Sequence, residues 1–265
     1  MKIKRLADLK KAVQNEITLA NLPQEISITP FAQTKAFALN EAVRTIHGQS
    51  YEWYGFTLAW REKPEVIVDI GLPINDQNQD QYASLAAEQI AAFREALPEA
   101  MLINGWIHSH GALALQQFSA IDAANQATVL DFVTSQLWLP VAKVEIVIQD
   151  LVCLQEGHWG EADLRRGSVT LITDGPVRSA RLWEIEYGGF CYAIVIGDAG
   201  WHEQEIHYKK RGILSGRTFV SHRSAALRFR DDGRQFTPSD REALEEEVRT
   251  RLSPVPYVPP KLEGL

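Results

Sequence analysis

The chain has 265 residues, 45% of them apolar and 23% charged, which is ordinary for a globular protein and enough for one large domain or two modest ones. Its formal net charge of −7 argues against nucleic acid as the main partner, because a phosphate backbone rewards a basic surface. Only two cysteines are present, Cys153 and Cys191, too few for a disulfide scaffold; both sit in apolar runs, so buried thiols in a reducing compartment are expected.

The start Met1-Lys2-Ile3-Lys4-Arg5 is basic, but Asp8, Lys10 and Lys11 break any apolar segment behind it, so no secretory leader is expected. No apolar run is long enough for a membrane helix. The expected address is the cytosol, with no membrane partner.

In chain order, residues 1–23 read as a short polar or amphipathic helix. Residues 33–48 read as a helix, with Phe37, Leu39, Ala42, Val43 and Ile46 near helical spacing. The aromatic-rich run Tyr51–Trp60 reads as a strand, and Val66–Ile70 as its hairpin or meander partner. Asn75–Asp80 is polar and turn-like, and residues 83–97 read as a helix ending before Pro98. Met101–Ile107 reads as a buried strand that delivers His108 and His110 at its end. A loop over 111–118, a helix over 119–136 and a strand over 144–148 follow. Residues 33–155 thus alternate helices and strands, as in an α/β domain.

Beyond them, Val169–Ile172, Ala180–Tyr187 and Phe190–Ile196 read as strands, with Gly188-Gly189 as a tight hairpin turn. A charged helix runs from Pro238 to about Leu252, with Thr237 as its N-cap. Residues 254–260 are proline-rich and extended.

The chemistry concentrates at His108-Ser109-His110. On a strand, positions i and i+2 share a face, so both imidazoles can meet one metal ion. Ser119-Ala120-Ile121-Asp122 resembles a helix capping box, yet Asp122 can also turn its carboxylate toward a metal. Two histidines and a carboxylate, with one position left to water, form a catalytic zinc pattern. Glu52, on a separate strand beside Trp53 and Tyr54, can accept that water's proton and later pass one to a leaving amine. His202 and His207 in His-Glu-Gln-Glu-Ile-His are one residue too far apart for a zinc helix and lie about 140° apart on one, so they read as surface residues. Lys209, Lys210, Arg211 and Arg217 read as a solvated face, with an acidic patch on a protein partner as the other reading.

A glutamate on an early strand, then His-Ser-His, then Ser-x-x-Asp opening a helix, resembles the JAMM (MPN-plus) metallopeptidases. Tyr51–Phe56 and Trp106–Gly111 look like the bacterial branch of that family. The resemblance covers residues 33–155. It implies Zn²⁺ bound by His108, His110 and Asp122, Glu52 as general base and then acid, and Ser119 as hydrogen-bond donor to the tetrahedral intermediate. It also implies hydrolysis of peptide or isopeptide bonds after a ubiquitin-like protein, with that protein, its conjugates and the activating and conjugating enzymes of the same pathway as partners. Two features depart from the family pattern. Eight residues separate His110 from Ser119, one more than usual, and Gly111 stands where many eukaryotic members have proline.

The fold expected is α/β, the mixed helix-flanked sheet of the MPN, cytidine-deaminase-like architecture. The expected divisions are an N-terminal segment 1–32, a catalytic domain 33–158, a β-rich extension or accessory domain 159–252 and a tail 253–265. Two other functions stay open: a non-catalytic MPN-like scaffold, and a zinc hydrolase of a small molecule. The chain lacks the His-x-Glu and Pro-Cys-x-x-Cys signatures of zinc deaminases.

Overall fold

The computed structural model describes residues 16–74, 86–112, 116–147, 150–167, 169–176 and 181–254. In chain order these residues form β1 (Ile26–Ile28), α1 (Pro30–His47), β2 (Trp53–Trp60), β3 (Val66–Ile67), β4 (Asp69–Gly71), α2 (Ala87–Glu95), β5 (Met101–Ser109) and α3 (Ala120–Gln136). There follow β6 (Leu139–Ile146), β7 (Leu151–Gln155), β8 (Val169–Thr173), β9 (Leu182–Gly197), β10 (Gly200–Gly212), β11 (Thr218–Ser224), β12 (Leu227–Phe229) and α4 (Pro238–Arg251). The fold is mixed α/β. Residue contacts divide it into two compact units, and β9 and β10 each run from one into the other.

The larger unit comprises Leu22–Trp138, Gly189–Lys209 and Phe219–Leu265. Its sheet has the order β11-β10-β9-β5-β2-β4. β5 pairs antiparallel with β2 and parallel with β9, so the sheet is mixed. The central strands β2 and β5 are buried along nearly their whole length, without polar alternation. That pattern belongs to strands covered on both faces. Helix α3 lies against β5, α1 against β4 and α4, and α2 against α3. The core gathers Trp53, Phe56, Trp106, Ile107, Tyr192 and Val133, among others.

Local chemistry sets the helix ends. Thr29 Oγ1 accepts a hydrogen bond from Ala32 N–H, Pro30 opens α1, and Gly48 closes it in the left-handed conformation at φ 76°. Thr237 caps α4 with Pro238 behind it, as the sequence predicts. The partner of β2 is narrower than expected. Of the stretch Val66–Ile70, only the part in β4 pairs with β2, while β3 joins β1 and β12 in a separate parallel sheet, because the chain changes sheets at Val68.

The smaller unit comprises Met1–Asn21, Leu139–Gly188 and Lys210–Thr218. In it β6 pairs antiparallel with the first part of β9, and β7 pairs parallel with β8. Glu184 is its one buried carboxylate among the described residues. It accepts hydrogen bonds from Leu214 N–H, Ser215 N–H and Ser215 Oγ–H at 2.7–2.9 Å.

Several expectations are corrected. Gly188-Gly189 is no hairpin: β9 runs straight through it as one 16-residue strand. Glycine is needed there for closeness rather than for turning, since a Cβ on Gly189 would stand 2.1 Å from the Leu137 carbonyl oxygen. Residues 16–23 are not helical, and residues 1–15 lie outside the described region, as do the polar turn 75–80 and residues 255–265 of the tail. Cys153 is exposed, on β7, and only Cys191 is buried, where burial pushes its thiol up to about 12.

Candidate metal centre

The site is built at the end of β5. His108 is the penultimate residue of that strand, and His110 follows its last residue, Ser109. His110 N–H still bonds Ile196 O at 2.9 Å, so the backbone stays strand-like through the second histidine. Gly111 then turns the chain with φ +54°, a conformation that favours glycine.

Both imidazoles are 2% exposed. Their Nε2 atoms lie 3.1 Å apart. Asp122 completes the triangle: Oδ1 is 3.2 Å from His108 Nε2, and Oδ2 is 3.4 Å from His110 Nε2. Tetrahedral zinc with bonds of roughly 2.0–2.1 Å needs ligand atoms about 3.3 Å apart. The separation of the two nitrogens and the distance from each to its nearer carboxylate oxygen are close to that spacing, one atom from each residue lies within 4.8 Å of the others, and two imidazoles with one carboxylate suit zinc in kind. One feature departs from the usual pattern. His108 Nδ1 is buried without a hydrogen-bond partner among the described residues, whereas a metal-bound imidazole usually donates this N–H.

The electrostatics fit the same ion. Burial holds His108 below the usual imidazole range and outweighs the opposing pull of Asp122; His110 adds to the lowering. Burial would raise the Asp122 carboxyl, but hydrogen bonds from both histidines and from Ser119 N–H together hold it well below the usual carboxylate range. His108 is therefore held toward its neutral form and Asp122 in its ionised form, the forms in which each binds a metal.

Asp122 also holds the start of α3. Ser119 N–H donates to Asp122 Oδ2 at 2.7 Å, and Asp122 N–H donates to Ser119 Oγ at 3.2 Å, a reciprocal cap. The cap forms while the same carboxylate faces both rings, so the cap and ligand readings of Ser-x-x-Asp do not exclude each other. Ser119 Oγ thereby accepts one bond and keeps its own proton to donate. The extra residue between His110 and Ser119 falls in a loop whose residues 113–115 lie outside the described region.

Glu52 is buried and immediately precedes β2. Trp53 pairs in register with Ser109, so Glu52 stands one step further, at the His110 end of β5. The indole of Trp106 stacks on His108 with centroids 4.5 Å apart, and Phe118 lies 5.8 Å from the same ring.

Sequence reasoning passed over Asn40. This buried residue of α1 accepts from Ser109 Oγ–H at 2.6 Å and from Trp53 Nε1–H at 3.1 Å, and donates to Asp198 at 2.8 Å. One amide thus fixes the residue between the two histidines and the residue after Glu52. No local signal marks an asparagine inside a helix for this role.

A cavity of about 600 Å³ opens beside α3, lined by Phe118, Ser119, Asp122 and Gln126, and across from them by Glu203, Glu205, His207 and His222. His207 is not the surface residue expected: its side chain is only 15% exposed. The side chain of His202 lies outside what the structure describes. No family model matches the chain, and no curated protein sequence matches it.

Proposed function

We propose that the chain is a zinc-dependent peptidase of the JAMM type, with His108, His110 and Asp122 as ligands and Glu52 and Ser119 as catalytic residues. The observation that carries this reading is the convergence, among buried residues at a strand end, of two imidazole Nε2 atoms 3.1 Å apart, each 3.2–3.4 Å from one oxygen of the same carboxylate. The mixed sheet with helix α3 packed on β5 supports an MPN-like architecture.

His108, His110 and Asp122 would hold the zinc ion, which would supply Lewis acidity toward water and the scissile carbonyl. Glu52 takes a proton from the attacking water and returns it to the leaving amine. Ser119 Oγ–H donates to the substrate oxygen on which negative charge develops. Trp106 and Phe118 wall His108 and keep bulk water from the rings.

The substrate proposed is a ubiquitin-like protein, cleaved after its extended C-terminus during maturation or deconjugation in the cytosol. Such a tail can lie along a sheet edge as an added strand.

The test uses the full chain and fusions of candidate ubiquitin-like proteins. Glu52→Gln is expected to keep zinc and lose nearly all turnover, while His110→Ala loses both. Wild-type activity in Glu52→Gln would show that the base is misassigned. Cleavage of unfolded peptides as readily as folded fusions would leave a general zinc peptidase.

A further inference from the structure

A second group of donors converges away from the first triad. Strand alternation places Glu203, Glu205, His207 and Lys209 on one face of β10. The outer two are engaged elsewhere: Glu203 accepts from Phe118 N–H at 3.1 Å, and Lys209 pairs with Asp131 at 2.6 Å. The inner two meet His222 of the neighbouring strand β11. His207 Nε2 lies 2.8 Å and His222 Nδ1 3.2 Å from the same oxygen, Glu205 Oε2. The two rings stack at 5.1 Å with 14° between their planes, which holds both nitrogens toward that oxygen. One ligand atom from each of the three residues lies within 4.8 Å of the others.

We infer that Glu205, His207 and His222 form a second divalent-metal site, independent of the triad at the end of β5. Two imidazole nitrogens and one carboxylate oxygen are a borderline donor set, suited to zinc above calcium or magnesium. Three protein ligands leave a coordination position for water or a ligand oxygen. The three residues line the cavity that Ser119 and Asp122 also line, so an oxygen donor bound in that cavity can reach the ion. Glu205 and His207 are only 14–15% exposed, whereas His222 is 62% exposed on the sheet's edge strand, an arrangement that lets an ion enter from solvent. The inference does not depend on the peptidase reading, since it uses none of the same residues.

The experiment is metal stoichiometry on the full chain, stripped with chelator, reloaded with zinc and dialysed. Cobalt substitution reports each site through its visible spectrum. Wild type is expected to hold two equivalents, with one lost in His207→Ala/His222→Ala and the other lost in His108→Ala/His110→Ala. The single variant His222→Ala, at the exposed position, guards against misfolding. It is expected to weaken the second equivalent by more than the roughly 10- to 100-fold typical of a supporting residue. If His207→Ala/His222→Ala binds as much metal as wild type, the site does not exist and Glu205 is only a hydrogen-bonded bridge between two imidazoles. One equivalent that survives His108→Ala/His110→Ala but not His207→Ala/His222→Ala would uphold this site and overturn the peptidase reading. No bound metal in wild type would overturn both.

Discussion

Asp122 holds a helix end and two imidazoles with the same two oxygens, so its substitutions can separate those duties. Asp122→Asn keeps an acceptor for Ser119 N–H but loses the charge. Helix stability is expected to fall by less than about 1 kcal/mol, the size of a charge–dipole contribution. Zinc affinity, measured by chelator competition, is expected to fall by more than about 100-fold, beyond what a supporting residue costs. Ser119→Ala inverts the pattern. Thermal denaturation should show a loss of about 1 kcal/mol for the cap. Turnover should fall about 10- to 1000-fold with metal retained, if the hydroxyl serves the developing oxyanion. A stability loss with unchanged turnover would make Ser119 a cap alone. Asn40 is the third residue of this kind. Asn40→Ala strands Ser109 Oγ–H and Trp53 Nε1–H in the interior, and denaturant unfolding should show about 1–3 kcal/mol lost. Asn40→Asp restores the acceptor but sets a second carboxylate beside Asp198, so it should be less stable than wild type above the carboxylate range and recover on acidification.

At the scale of elements, β9 shows how context overrides a turn signal. Two adjacent glycines between apolar runs favour a hairpin locally, yet the pairing of residues 182–188 with β6 and of residues 192–196 with β5 stretches the chain straight. Gly189→Ala therefore tests packing, not turning. Its methyl would meet the Leu137 carbonyl, a backbone atom that cannot step aside as a flexible side chain would. A loss of about 1–3 kcal/mol is expected. Gly160→Ala, where nothing lies within 4 Å, should change stability by less than about 0.5 kcal/mol. Equal effects at both positions would refute the close-approach account.

At the scale of the whole molecule, the two units should respond differently to acid and to chelator. In the smaller unit, burial works to raise the Glu184 carboxyl. Hydrogen bonds from Ser215 and Leu214, with the charge of Arg217, outweigh it and hold the group below its usual value. A depressed folded value means the contribution is full above the unfolded carboxylate range and is lost as pH falls through the folded value. A probe in that unit, such as Trp183, should report loosening in acid, and Glu184→Gln should flatten that dependence. On the proposed reading, removing metal acts on the larger unit instead, since both candidate donor groups belong to it. An ion bound only to the native state raises its melting temperature by mass action, so chelation should lower the transition of that unit and leave the other in place. A single transition shifted as a whole would show that the units unfold together.

The sequence by itself determined what depends on neighbours in the chain. Whereas α1 begins at Pro30, three residues before the start read from apolar spacing, the start of α4 follows from its Thr-Pro step, the buried strand β5 from its unbroken apolar run, and the shared face of His108 and His110 from strand alternation. These are local consequences of backbone geometry, legible without knowing what packs where. The approach of Asp122 to both rings was legible only as an option, because a capping carboxylate and a ligand carboxylate look alike until the distances are known. Tertiary structure alone decided the rest. Asn40 of α1 bonds Ser109 between the two histidines, and the second donor group unites His207 with His222 across two strands. His202 and His207 invite comparison with a zinc helix, but a strand instead sets His207 beside Glu205 and brings in His222 from fifteen residues further along. Spacing along a chain predicts contacts only when the element is known, and strand pairing joins residues that no local period connects.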